Sequence, residues 1–288
     1  MNQKPPTPSR PSLPACCVAE VLGTFLLIFF GCGAVHVAVL TEALSGLWQV
    51  AIVWGVSIML AIYVVGAISG AHINPAITVG LATWGGFPRR RVAPYVASQC
   101  AGAFLAAAIL FALFHPQIAA LEADKGLVRG QPGSELTAMC YGEYFPNPGA
   151  LPDDTLPYSA AAYELVPEPV ACLAEILGTA ILALVVVAVT DPGNAVGPRF
   201  LAPVFIGLTV SALIVVIAPL TQACFNPARD FGPRVLAWLA GWGAIALPGP
   251  RPTGFVTVYM LSPILGAVAG TGFYRLLIQP HLLNHKED

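Results

Sequence analysis

Residues 72–76 read His72-Ile73-Asn74-Pro75-Ala76, and residues 224–228 read Cys224-Phe225-Asn226-Pro227-Ala228. Asn is a strong helix N-cap and Pro is favoured at the first helical position, so each Asn-Pro-Ala predicts a helix start. The apolar stretches around them, near 74–87 and 226–243, are interrupted by Gly or Pro and are too short to cross a bilayer. A second pair of matches lies upstream. Val18-Ala19-Glu20-Val21-Leu22-Gly23-Thr24 returns as Leu173-Ala174-Glu175-Ile176-Leu177-Gly178-Thr179, 155 residues later. The Asn-Pro-Ala copies are 152 residues apart. Two matches at nearly one offset make the chain two homologous halves.

Around these motifs the chain is strongly apolar. Its 288 residues are 57% hydrophobic and only 10% charged, and the mean hydropathy is +0.75. A soluble domain carries about 25% charged residues, so this composition excludes an ordinary soluble enzyme and a disordered chain. The net charge of −2 provides no basic field for nucleic acid. Six segments are long enough to span as helices: 15–40, 48–68, 93–114, 169–190, 200–220 and 255–279. They do not alternate as β-barrel strands do. The expected fold is an all-α membrane protein with six transmembrane helices and two re-entrant half-helices.

Sidedness follows from Lys and Arg. Lys4 and Arg10, the Arg89-Arg90-Arg91 turn, Arg199, and Arg275 with Lys286 fall on one side of a six-helix chain. Both termini are therefore expected in the cytoplasm, in the plasma membrane. Residues 115–168 carry eight acids against Lys125 and Arg129, and are expected as an irregular outer loop with little helix. The expected division is a disordered tail at 1–14, one channel domain at 15–280 and a short tail at 281–288. Within the domain, the repeats are 15–114 and 169–280.

Three spans per half is an odd number, so the second half enters from the opposite face. That is an inverted repeat, in which the working site lies near the midplane between discontinuous helices. Two half-helices entering from opposite faces meet N-terminus to N-terminus. Each carries about +0.5 charge there, which opposes cations and protons and lets neutral solutes pass. Each Asn amide keeps donors for a passing oxygen. A single Asn-Pro would be read as a helix start and nothing more; two copies at the repeat offset favour a pore.

These motifs resemble those of the aquaporin, or major intrinsic protein, family. The resemblance covers residues 15–280 and rests on Ser69-Gly70-Ala71-His72-Ile73-Asn74-Pro75-Ala76 and Asn226-Pro227-Ala228-Arg229-Asp230-Phe231-Gly232-Pro233. Asp230 directly after Arg229 resembles the glycerol-facilitator (aquaglyceroporin) branch, as does Val235–Gly243. The resemblance implies a homotetramer with one pore per subunit, conducting glycerol and water. It also implies a selectivity filter of Trp54, Ile214, Ala223 and Arg229. An indole face suits the CH face of glycerol, and a guanidinium offers donors to its hydroxyls. Ala223 stands where glycerol facilitators have a second aromatic, and Ile214 where they have a glycine and strict water channels a histidine. The alternatives are a water-selective or other small-solute channel with little glycerol flux, and a secondary transporter.

Glu20 and Glu175 are equivalent intramembrane carboxylates. Such groups are costly and point to function. Their symmetry favours acceptors for the backbone of one re-entrant loop each over a proton relay. His72 is expected at the inner pore mouth, with pH gating as a hypothesis. Asp230 meets the positive end of its half-helix, with a structural role expected. The seven cysteines are an odd number and match no metal motif; Cys224 alone stands beside an Asn-Pro-Ala, which suggests sensitivity to mercurials. No nucleophile–base pair or metal set points to an enzyme, and no cofactor is expected.

Overall fold

The structure, a computed structural model, describes residues 11–41, 43–44, 46–151 and 159–283. The described residues contain helices and no strands. Six helices are long and apolar enough to cross a membrane. The first half contributes α1 (Leu13–Thr41), α2 (Leu47–Ser69), the short α3 (Pro75–Trp84) and α4 (Val92–Asp124). The second half contributes α5 (Glu168–Thr190), α6 (Ala202–Thr221), the short α7 (Pro227–Ala237) and α8 (Pro252–Leu282).

The packing follows the repeat. In the first half α1 packs on α2 and α4, and in the second α5 packs on α6 and α8. The halves meet along α2 and α6, where Gly55 and Gly207 face each other. A Cβ on Gly55 would lie 2.7 Å from the Gly207 carbonyl oxygen, so only glycine permits this approach of two backbones, as at small-residue contacts between membrane helices. Each short helix packs against the last span of the other half, α3 on α8 and α7 on α4. The two repeats are thereby interlocked. Large apolar side chains such as Val18, Leu113, Ile181, Val216 and Leu265 stay exposed on the outer faces, as a lipid-facing surface requires.

Two boundaries differ from the sequence reading. The third span continues ten residues past 114, to Asp124, with Pro116 inside it. Its charged end ends the apolar run but not the helix: Ile118 is buried, and Glu122 pairs with Arg129 at 2.7 Å. The outer loop therefore begins after Asp124. At the termini, α1 begins at Leu13 and the last helical turn runs to Leu283, so residues 11–14 and 281–283 belong partly to helices. The tail residues 1–10 and 284–288, and Asp153 and Asp154 of the loop, lie outside the described residues. The described residues of the loop hold only short helices, Glu135–Ala138, Pro148–Ala150 and Ala160–Leu165.

Candidate functional site

Both Asn-Pro-Ala motifs cap their helices in the same way. Asn74 is extended and its Oδ1 accepts from the N–H of Ala76 at 2.8 Å and of Ile77 at 3.4 Å. Asn226 does the same for Ala228 at 3.1 Å and Arg229 at 3.3 Å. Pro75 and Pro227 occupy the first helical positions. Each amide also crosses to the other half. Asn74 Nδ2 donates to the Phe225 carbonyl at 2.8 Å, and Asn226 Nδ2 donates to the Ile73 carbonyl at 2.8 Å. The two helix N-termini thus meet head to head, each locked to the loop that precedes the other.

Those loops are strained, and the strain is symmetric. Ala71 and Ile73 have φ of 49° and 44°, and their counterparts Ala223 and Phe225 have 67° and 51°. Non-glycine residues held there cost on the order of 1–3 kcal/mol each unless the surroundings over-determine them. The repeated glutamates supply that restraint. Glu20 accepts from the N–H of His72 at 2.9 Å, from that of Ile73 at 2.7 Å and from Gln99 Nε2 at 2.7 Å. Glu175 accepts from the N–H of Cys224 at 3.0 Å, from that of Phe225 at 2.8 Å and from Thr221 Oγ1 at 2.6 Å. Gly23 and Gly178, three residues on, leave room for Ile73 and Phe225, which any Cβ would strike. The seven-residue repeat is therefore one device used twice: a carboxylate to hold the loop and a glycine to receive it.

Three cavities lie in series past this centre. The outer one, about 410 Å³, is lined by Trp54, Glu143, Ile214, Gln222 and Arg229 among others. The next, about 50 Å³, shares those five residues and adds Ala223, Cys224, Asn74 and Asn226. The inner one, about 110 Å³, shares both Asn residues and ends at His72. The three cavities share walls in succession, and the smallest is lined by Trp54, Ile214, Ala223 and Arg229. Gly31 gives the Trp54 ring its place, since a Cβ there would overlap it. The Arg229 guanidinium stacks 4.7 Å from the Trp54 ring.

Arg229 is held by the loop between α4 and α5. Its Nη1 donates to the Tyr141 carbonyl at 2.8 Å, and its Nε meets Glu143 Oε1 at 2.6 Å, with both side chains buried. Residues 141–147 fold into the pore mouth. The N–H of Tyr144 donates to Gln222 Oε1 at 2.7 Å, and Asn147 Nδ2 donates to the Ala218 carbonyl at 2.8 Å. Asp230 does not bond to Arg229. Its Oδ1 accepts from the N–H of Glu143 at 2.7 Å and its Oδ2 pairs with Arg234 Nε at 2.6 Å. Arg234 in turn donates to the carbonyls of Glu143 and Ala246. Asp230 therefore sets the loop that sets Arg229. Burial pushes the Glu143 carboxyl up to about 8, with Arg229 opposing that rise.

On the wall of the third cavity the His72 ring meets Thr78 Oγ1 at 3.2 Å and packs against Phe87 and Tyr95. Cys224 points its Sγ at the Asn226 carbonyl, 3.3 Å away, on the wall of the filter cavity. All seven cysteines are free, and no group of His, Cys, Asp or Glu among the described residues could hold a metal ion.

A family model described as Major intrinsic protein matches residues 9–274. The chain belongs to the major intrinsic protein family. Among relatives of this major intrinsic protein, the glycerol uptake facilitator protein of Pseudomonas aeruginosa is 41% identical over 272 residues, covering 94% of this chain and 91% of that protein. The glycerol uptake facilitator protein of Escherichia coli strain K12 is 40% identical over 266 residues, covering 92% and 89%. The propanediol uptake facilitator PduF of Citrobacter freundii is 40% identical over 271 residues, covering 94% of each chain. The fold is similar to the X-ray structure of the aquaglyceroporin from Plasmodium falciparum, with a TM-score of 0.78 at 24% identity, covering 95% of this chain and all of that one.

Proposed function

We propose that this protein is a passive channel that equilibrates glycerol, water and similar small uncharged solutes across a membrane and excludes ions and protons. The observation that carries this reading is the crossed pair of bonds, Asn74 to Phe225 and Asn226 to Ile73, set in the wall of a continuous path. Two positive helix ends at one point oppose a cation, and a neutral hydroxyl crosses without that cost. The relatives named for glycerol and propanediol uptake support the solute class. Trp54, Ile214, Ala223 and Arg229 form the selectivity filter, Glu20 and Glu175 brace the loops, His72 lines the inner mouth, and Asp230 positions the outer loop. The working unit is a homotetramer in the plasma membrane with both termini cytoplasmic, each subunit holding one channel domain of two repeats.

Uptake measurements separate this from a coupled transporter. Glycerol entering cells or vesicles should reach its outside concentration and stop there, unaffected by an uncoupler. Accumulation above the outside level, collapsed by the uncoupler, would contradict a passive channel. Ile214 and the filter cavity of only about 50 Å³ favour a second reading, a channel with fast water and slow glycerol flux.

A further inference from the structure

Much of the filter wall is apolar: the Trp54 indole, the Ile214 side chain and the Ala223 methyl, all buried. Of its polar lining residues, which also include Gln222, Asn74 and Asn226, two form a charged pair. Glu143 lines both the outer cavity and the filter cavity together with Arg229. Its Oε1 is taken by Arg229 Nε at 2.6 Å. Its Oε2 is buried and has no hydrogen-bond partner among the described residues. A buried carboxylate oxygen left unsatisfied is expensive and calls for an explanation. Structural demand does not supply one, because the loop is already tied through the backbone at Tyr141, Glu143 and Tyr144. Residue 223, on the same cavity, is an alanine and puts nothing larger than a methyl into it.

We infer that Glu143 is a permeant-binding group of the filter, its Oε2 accepting a hydroxyl hydrogen from a polyol whose neighbouring oxygen is bound by Arg229. The two groups stand side by side as donor and acceptor, the pattern that adjacent hydroxyls of a polyol match. The apolar walls take the CH side. A polyol fills the cross-section and sheds water from several hydroxyls at once, so it needs both groups. Water is smaller, keeps hydrogen bonds along the file and needs them less. The inference rests on the channel reading above and adds a selectivity role for an outer-loop residue.

The ionised form accepts and the protonated form donates, so the effect depends on pH. The groups facing Glu143 are Arg229, Asp230 and Arg234 around α7, Glu175 of α5, Cys32 of α1, Cys224 before Asn226, and Tyr259 of α8. The Glu143→Gln variant separates binding from positioning. Its amide oxygen still accepts from Arg229 Nε, while an N–H₂ replaces Oε2. Glycerol, propanediol and water permeabilities are measured by stopped-flow light scattering on proteoliposomes of the full chain at about pH 6.5 and about pH 9, either side of the carboxyl's titration. At the alkaline pH, Glu143→Gln should lower glycerol permeability about five-fold or more, propanediol less, and water less than two-fold. Its glycerol-to-water ratio should not change with pH, whereas that of the parent should rise on going alkaline. Glu143→Asp keeps the charge but withdraws it by one methylene, and should fall between the two. Equal loss of all three solutes, or an unchanged glycerol-to-water ratio in Glu143→Gln, would overturn the inference. Absence of glycerol flux in the parent would instead count against the glycerol reading itself.

Discussion

The centre of the pore and its filter are built on opposite principles. At the centre the two halves supply the same parts twice: Asn74 and Asn226, Glu20 and Glu175, Gly23 and Gly178, with matching left-handed residues between them. At the filter nothing is matched. Arg229 follows the second Asn-Pro-Ala and Ile77 follows the first, and Arg229 is held by a loop that has no counterpart in the other half. On the proposed reading the symmetric part is the barrier, since two like helix ends can meet only if both halves provide one. The asymmetric part is on that reading the recogniser, since a polyol offers different atoms to different sides. Duplication explains the first and not the second.

The largest expected effects test the symmetry. Glu20→Ala and Glu175→Ala should each orphan two buried backbone N–H groups, at about 1–3 kcal/mol apiece. Both variants should lose several degrees or more of thermal stability in detergent, by similar amounts. A severe loss in one and none in the other would break the equivalence of the two loops. Next come Asn74→Asp and Asn226→Asp. Each sets a negative charge where two positive helix ends meet, and should admit cations in planar-bilayer conductance recordings. Cation currents that stay at background in both variants would mean that the helix ends do not form the barrier.

Smaller effects belong to the asymmetric half. Asp230→Ala removes the acceptor for the Glu143 N–H and the partner of Arg234. It should lower the glycerol-to-water permeability ratio about three-fold or more through loss of a charged hydrogen bond, though Asp230 does not touch Arg229. The corresponding position of the first half is Thr78, whose hydroxyl bonds to Asn74, His72 and Gln99; Thr78→Ala should leave that ratio within two-fold. The His72 ring is buried against Phe87 and Tyr95 and meets the Thr78 hydroxyl, so His72→Ala should not alter the pH profile of flux between about 5.5 and 8. A flattened profile in that variant would return the inner mouth to consideration as a pH gate. The least effect on basal flux is expected from Cys224→Ser, which should abolish inhibition by mercurials and change little else. Full inhibition of that variant would assign the effect to another cysteine.

The same contrast decides how much was legible in the sequence. Spans, half-helices and the crossed centre follow from signals that are local or repeated. Twenty apolar residues, an N-cap with Pro after it and a Glu four residues before the repeated Thr can each be read within a few positions. Repetition at one offset then removes the ambiguity of a single copy. Trp54, Ile214, Ala223 and Arg229 were reached through family resemblance, and the path brings all four to one cavity. Glu143 was counted only as one of eight acids in a loop. Its bond to Arg229 joins residues 86 positions apart in sequence, and no periodicity or turn signal marks it. Arg234 and the Tyr141 carbonyl share that obscurity. The available clue was Asp230 next to Arg229: a carboxylate buried at a helix start must bond something, and its partner is the backbone of this loop. The overrun of α4 to Asp124 has a similar cause, because hydropathy registers the loss of apolar residues and not the Glu122–Arg129 pair that carries the helix on.

The central claim is passive passage of a neutral polyol through a filter that carries a donor–acceptor pair. Stopped-flow light scattering on proteoliposomes, with glycerol and water gradients run in parallel against empty liposomes, tests it most directly. The account expects both solutes to move well above the empty-liposome rate, each with weak temperature dependence. Fast water with glycerol at the empty-liposome rate would contradict it, and would mean that Ile214 and Ala223 close the path that Arg229 and Glu143 were built to serve.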